Sequence, residues 1–228
     1  FLKEKKIPLI GGILFLFLSI NFFYEKNIFF CGIIFMVFMI GFFSDSRIIN
    51  SPKIRIFLQV LIVSFSVYIL DLKISSTRID FLDTIINIKL LGIIFCIFCL
   101  MILINGSNFI DGLNGLLIGY FLIALFILFK LNLFDLLNIE KSLIIFLFSS
   151  LIIMLIFNFL NIFYLGDGGS YSIGIVLGYL LIEIYNLSGI ISPFFIILIL
   201  WHPCFENLFS ILRKNKFKNS PITPDNKH

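Results

Sequence analysis

Charged residues are scarce in this sequence. They make up 13% of its 228 residues, whereas 60% are hydrophobic and 31 are phenylalanine. An average globular domain carries about 25% charged residues. Because a soluble fold of this length cannot bury so much apolar surface, the composition excludes a soluble protein.

Cysteine is also too sparse to indicate a metal or disulfide site. The four cysteines are Cys31, Cys96, Cys99 and Cys204, all within apolar surroundings. Cys96 and Cys99 have the spacing of a metal-binding pair, but no second pair and no nearby histidine accompany them. We expect all four to be buried small hydrophobic residues.

The few charges divide the chain into eight long uncharged runs. These are residues 7–24, 27–44, 56–70, 90–110, 112–129, 142–166, 168–182 and 184–205. Crossing the hydrocarbon core takes about 17 to 25 helical residues, so the two shortest runs need their flanking residues, Arg55 and Glu183, at the interface. Continuous apolar runs do not fit a membrane β-barrel, whose strands alternate.

The sequence therefore predicts an all-α, polytopic membrane protein with about eight transmembrane helices, forming one domain over residues 1–228. The chain begins without methionine and stops at His228 in a polar segment. We expect it to be part of a longer helical bundle.

Basic residues predict the orientation in the membrane. With the amino terminus in the cytoplasm, eight crossings place 11 Lys and Arg residues inside and 6 outside. This distribution follows the positive-inside rule. It places three polar, glycine-bearing segments at the cytoplasmic face: residues 41–47, 105–115 and 166–170.

Each of these segments carries one aspartate: Asp45, Asp111 and Asp167. Any one of them alone is also explained by a helix cap or a tight turn. Three carboxylates at similar depth on one face would repel one another without a cation. Mg²⁺ typically uses one or two carboxylates and completes its shell with water and phosphates. The pattern predicts a phosphate-bearing ligand at the membrane surface.

Further polar residues accompany these aspartates. Asn105, Asn108, Asp111 and Asn114 recur every third residue, which on a helix forms a polar stripe; an interhelical hydrogen-bond seam is the alternative. Gly168 and Ser170 follow Asp167 at a helix start, where free N–H groups suit phosphate oxygens.

In order, these segments resemble the polyprenyl-phosphate N-acetylhexosamine-1-phosphate transferases of glycosyltransferase family 4. Residues 8–13 are similar to the Pro-Arg-x-Gly-Gly element of that family, residues 41–47 to its Gly-Phe-x-Asp-Asp loop, and residues 55–59 to the basic residue four before Gln. Residues 105–116, 157–170 and 220–228 are similar to its Asn-rich, Gly-Asp-x-Gly-Ser and His-x-His-His segments.

The resemblance implies transfer of N-acetylhexosamine 1-phosphate from a UDP-sugar to undecaprenyl or another polyprenyl phosphate, with release of UMP. This reaction is the first membrane step of a cell-envelope glycan such as a lipopolysaccharide O-antigen. The resemblance also implies a cytoplasm-facing site in the bacterial inner membrane and Mg²⁺ as cofactor, with Mn²⁺ as a substitute. Membrane lipid is an expected partner, nucleic acid is not, and a homodimer stays open.

The site residues implied by the resemblance fall into two groups. Asp45, Asp111 and Asp167 are expected to be catalytic, and Asp167 and Asp111 to bind the metal. The expected substrate-binding residues are Asn105, Asn108, Asn114, Asn158, Arg55, Gly168, Ser170 and His228.

The chain departs from the family pattern at several positions. Ser44 stands where the family has the first aspartate of a pair, Leu9 replaces an arginine, and Asn114 takes an aspartate position. Two alternatives stay open. One is the phospho-N-acetylmuramoyl-pentapeptide transferase of peptidoglycan synthesis, and the other is a transporter whose ion path the aspartates line.

Overall fold

A computed structural model describes residues 7–189 and 191–216, and these form an all-helical bundle. A short 3₁₀ helix, Leu133–Leu137, precedes the seventh α-helix. The α-helices are α1 (Gly11–Phe23), α2 (Ile28–Asp45), α3 (Pro52–Ile69), α4 (Asp80–Ile86), α5 (Lys89–Ile110), α6 (Leu116–Lys130), α7 (Lys141–Phe159), α8 (Gly166–Ser188), α9 (Pro193–Ile199) and α10 (Trp201–Lys216).

Five of the helices, α2, α3, α5, α7 and α8, are long and apolar enough to cross a membrane. Helices α1 and α6 are apolar but shorter, with 13 and 15 residues. These seven helices correspond to the first seven uncharged runs. The chain is a helical membrane protein, but the expected count of about eight spans is not confirmed.

The eighth uncharged run, residues 184–205, does not form one helix. Helix α8 ends at Ser188, followed by Gly189 with a φ of 59°. Pro193 then starts α9, which ends after seven residues. Hydrophobicity alone did not reveal these breaks, because glycine and proline end helices inside an apolar run as they do elsewhere.

Helix α10 packs back against α5. The Asn207 side chain donates a hydrogen bond to the carbonyl of Ile102 at 3.3 Å. A Cβ built on Gly106 would lie 2.3 Å from the carbonyl oxygen of Pro203. The two helices therefore run antiparallel along this contact. The charge count that predicted the orientation assumed an eighth crossing, so the sidedness of the bundle stays a prediction.

Helix α8 lies at the centre of the bundle and is largely buried. Its glycines allow close approach by α5: a Cβ on Gly174 would lie 2.8 Å from the Cα of Ile104, and one on Gly178 would lie 2.6 Å from Leu100. Small residues commonly allow such close helix packing in membranes. Among the cysteines, Cys31 and Cys96 are buried and the other two half-buried, all as free thiols.

Helices α1 and α2 fix the start of α8. Gly11 and Gly12 donate backbone hydrogen bonds to the carbonyls of Tyr164 and Leu165, at 3.0 and 3.1 Å. A Cβ on Gly12 would lie 2.6 Å from the backbone nitrogen of Gly169. These contacts hold the segment that leads into Asp167.

Candidate active site

Side chains from three other helices converge on the carboxylate of Asp167, in the first turn of α8. Ser44 of α2 donates to its Oδ2 at 2.6 Å, and Arg55 of α3 does so at 2.9 Å. Asn108 of α5 donates to its Oδ1 at 2.8 Å. The carboxylate thus joins four helices that are distant in sequence.

Local sequence explains why these groups reach Asp167. Pro52 in the first turn of α3 suits a helix start, and Arg55 follows it within that turn. Asn108 lies in the last turn of α5 and also donates to Ser170 at 3.0 Å. Asp167 itself lies in the first turn of α8, at the end where the backbone N–H groups point outward.

Asp45, the last residue of α2, makes a different contact. Its Oδ1 accepts the backbone N–H of Asp167 at 3.0 Å, and its Oδ2 that of Gly168 at 3.3 Å. The Gly168 N–H group is therefore already paired with Asp45, and its expected contact with a phosphate oxygen stays a prediction. Ser170 contributes its hydroxyl, which donates to the carbonyl of Asp167 at 3.1 Å.

Asp111 follows the end of α5 and lines a polar cavity of about 340 Å³. Within the described part of the chain, its carboxylate accepts no hydrogen bond. Burial, reinforced by the neighbouring carboxylates of Asp167 and Asp45, raises the pKa of Asp111 well above its ordinary value. Among the residues that the structure describes, this carboxylate has no positive partner such as Arg55 provides for Asp167.

The polar stripe expected over residues 105–114 is only half present. Helix α5 ends at Ile110, and residues 111–115 form a turn in which Gly115 has a φ of 78°. Asn114 therefore leaves the stripe and donates to Asn161 at 2.5 Å. The period of three was wrong here because glycine residues end the helix.

The other predicted amide residues, Asn105 and Asn158, form hydrogen bonds with partners other than Asp167. Asn105 donates to the buried Gln59 at 3.2 Å, one helical turn from Asn108. Asn158 is buried; it accepts the N–H of Gly115 and donates to the carbonyl of Phe163 at 3.0 Å. Asn158 and Asn114 nevertheless line the polar cavity. His228 lies outside the described residues.

Sequence reasoning gave no role to three residues that the structure brings to the site. Ser44 departs from the family pattern, yet its hydroxyl lies between Arg55 and Asp167. Gln59 accepts a hydrogen bond from Asn105, and Tyr164 lines the polar cavity. All three residues lie within segments that resemble family motifs, but nothing in the neighbouring sequence predicted which side chains they contact.

The comparisons with known proteins decide the family. The sequence model described as Glycosyl transferase family 4 matches residues 27–185, more than half of the 228 residues. The chain belongs to glycosyltransferase family 4. A search of curated proteins finds no match.

Membership in glycosyltransferase family 4 identifies the chain as a transferase. It therefore favours the expected transferase over the transporter alternative. The family includes polyprenyl-phosphate sugar-1-phosphate transferases and the phospho-N-acetylmuramoyl-pentapeptide transferase. The matched region contains Asp45, Arg55, Asp111 and Asp167. It does not reach the glycine pair at residues 11–12 or His228.

Asp111 and Asp167 are the two carboxylates of this glycosyltransferase family 4 chain that could hold Mg²⁺. Among the described residues Asp111 accepts no hydrogen bond, and the Oδ1 of Asp167 accepts only the neutral amide of Asn108. No cluster of three or more Asp, Glu, His or Cys side chains suited to one metal occurs in the described ranges, so a site shared by all three aspartates is not seen. Mg²⁺ needs only one or two carboxylates, so these two residues fit it.

Proposed function

We propose that this chain transfers N-acetylhexosamine 1-phosphate from a UDP-sugar to a polyprenyl phosphate and releases UMP. The observation that carries the proposal is the convergence of Ser44, Arg55 and Asn108 on Asp167, beside a polar cavity that Asp111 lines. We place the reaction at the cytoplasmic face of the bacterial inner membrane.

The polar cavity supports a nucleotide-sugar donor. The described residues that line it are an acid, two amides, the Tyr164 phenol, two glycines and two leucines, and none of these is basic. A diphosphate entering it would face Asp111 without a compensating charge. Asp111 and Asp167 would hold Mg²⁺, or Mn²⁺ in its place, and the ion would neutralise diphosphate charge and align the reactants.

Arg55 supports binding of a second phosphate. Its Nη1 contacts Ser44 at 2.8 Å and Asp167 at 2.9 Å. Its Nη2 and Nε make no hydrogen bond within residues 7–189 and 191–216. A guanidinium presents several donors in a fixed plane, so one edge can hold Asp167 while another meets a phosphate oxygen.

An apolar cavity of about 380 Å³ supports a lipid acceptor. It lies between α5, α8, α9 and α10, and its lining includes Leu103 and Leu181. Leu103 precedes Asn108 by five residues on α5, a rise of about 7.5 Å. A prenyl chain in this cavity would keep its phosphate within reach of the polar residues at the inner ends of α5 and α8.

The reaction exchanges one phosphoanhydride bond for another. An oxygen of the polyprenyl phosphate attacks the sugar-bearing phosphorus of the donor, the bond to the UMP phosphate breaks, and UMP leaves. No ATP is needed. A lipid phosphate that is already dianionic near neutral pH needs no general base, which agrees with serine at position 44.

The direct test uses the full chain reconstituted in lipid nanodiscs with polyprenyl phosphate and Mg²⁺. Labelled UDP-N-acetylhexosamines and UDP-N-acetylmuramoyl pentapeptide are supplied separately. We expect stoichiometric UMP and lipid diphosphate sugar with a UDP-N-acetylhexosamine. Turnover with the pentapeptide donor alone would assign the peptidoglycan branch, and release of UDP rather than UMP would contradict phosphosugar transfer.

The variant Ser44→Asp tests the unusual serine. We expect turnover within about tenfold of wild type, because Arg55 lies 2.8 Å from the Ser44 hydroxyl and can neutralise an added carboxylate. The measurement is UMP release at saturating donor, with Ser44→Ala as the comparison that removes the hydroxyl without adding charge. Complete loss of turnover in Ser44→Asp alone would show that this site does not tolerate the family acid.

A further inference from the structure

We infer that Asp45 is a positioning residue, whose carboxylate fixes the first turn of α8 and thereby the Asp167 carboxylate. In this assignment Asp45 neither binds the metal nor takes a proton. The inference rests on the proposed function only where it concerns turnover; the structural role of Asp45 is independent of the substrate.

Helix α8 lacks a cap from its own sequence. Leu165 occupies the N-cap position and makes no side-chain cap hydrogen bond. A leucine cannot accept a backbone N–H, so the first amides of a buried helix would be left unpaired at a high cost. Asp45, which precedes Asp167 by 122 positions in the chain, accepts these hydrogen bonds instead. One of its oxygens accepts the N–H of Asp167 and the other accepts the N–H of Gly168.

The surrounding glycines match this arrangement. Gly41 lies one turn before Asp45 on the same face of α2, and a Cβ on Gly41 would lie 2.3 Å from the backbone nitrogen of Gly168. A Cβ on Gly166 would lie 2.5 Å from the Oδ2 of Asp45. Both glycines leave space for the Asp45 carboxylate to reach the α8 backbone.

The three aspartates therefore have different environments. Asp167 is held by side chains, and Asp111 accepts no hydrogen bond from the described residues, whereas both oxygens of Asp45 face backbone amides. A metal bound to Asp45 would compete with the backbone amides that order the start of α8, whereas a metal bound to Asp167 would compete only with side-chain donors. Separate roles for the three aspartates explain this geometry better than one metal site shared by all three.

Asparagine distinguishes a helix cap from a metal ligand, because its single side-chain oxygen can still accept one of the two backbone N–H groups but carries no charge. The experiment compares Asp45→Asn, Asp45→Ala and the matched control Asp111→Asn, each in the full chain. Three measurements are made: hydrogen exchange of the amides at residues 167–168, binding of Mn²⁺ by electron paramagnetic resonance, and UMP release with separate kcat and KM.

We expect Asp45→Ala to exchange these amides about fivefold faster than wild type and to lower kcat about 100-fold with little change in donor KM. Asp45→Asn should keep the protection of one of the two amides, a Mn²⁺ Kd within about threefold of wild type, and at least about a tenth of kcat. Asp111→Asn should keep the amide protection but weaken Mn²⁺ binding at least about tenfold.

Two results would overturn the inference. One is wild-type amide protection in Asp45→Ala, and the other is loss of Mn²⁺ binding in Asp45→Asn while one of its two amides stays protected. If Asp45→Ala does not fold, the Asp45→Asn results decide. If the wild-type chain releases no UMP, the proposed function fails, whereas the exchange measurement still tests the cap.

Discussion

Asp167→Asn abolishes UMP release, with turnover expected to fall by at least about a thousandfold. Asparagine has nearly the same shape, so the packing at the start of α8 is preserved. The change removes the only anionic partner of Arg55 in the described ranges, and one of the two carboxylates proposed to hold Mg²⁺. It also places an amide where Ser44 and Asn108 donate hydrogen bonds. The measurement is UMP release in nanodiscs at saturating Mg²⁺ and donor.

Asp80→Asn is the matched control for Asp167→Asn. Asp80 is exposed in the first turn of α4, a helix that contributes no side chain to the Asp167 contacts. We expect this variant to keep wild-type turnover, and both variants to elute as monodisperse helical protein. Turnover by Asp167→Asn close to the wild-type rate would remove Asp167 from the proposed chemistry.

Much of the bundle could be predicted from hydrophobicity because a membrane helix must be apolar over its whole length. That rule located α1, α2, α3, α5 and α6 within four residues at each end, whereas the predicted ends of α7 and α8 were seven and six residues off. It does not locate helix breaks inside an apolar run. For this reason the division of residues 184–205 by Gly189 and Pro193 was missed.

The site was predictable as a set of residues but not as a set of contacts. Motif order placed Arg55, Asn108 and Asp167 in one group, and the structure brings their side chains within hydrogen-bond distance. The role of Asp45 depends on Leu165 being unable to cap α8, which is visible only once both helices are placed. The stripe failed at Asn114 because Gly115 requires a left-handed backbone there.

The close approach of α2 and α8 makes Gly41 the most sensitive packing position of the site. An added Cβ would lie 2.3 Å from the nitrogen of Gly168 and 2.4 Å from the carbonyl carbon of Asp167. These are backbone atoms, so the helices themselves must separate. We expect Gly41→Ala to destabilise the protein by about 1–3 kcal/mol and, by displacing Asp167, to lower turnover about 100-fold.

Gly32→Ala on the same helix provides the control for Gly41→Ala, because nothing lies within 4 Å of a Cβ at that position. Alanine is favoured over glycine inside a helix by about 0.5–1 kcal/mol, so this variant should be as stable as wild type or more so. Thermal unfolding in detergent and UMP release are measured for both. If the two variants unfold and turn over alike, contact between α2 and α8 does not control the position of Asp167. If only Gly41→Ala is impaired, the spacing of these two helices sets the geometry of the site.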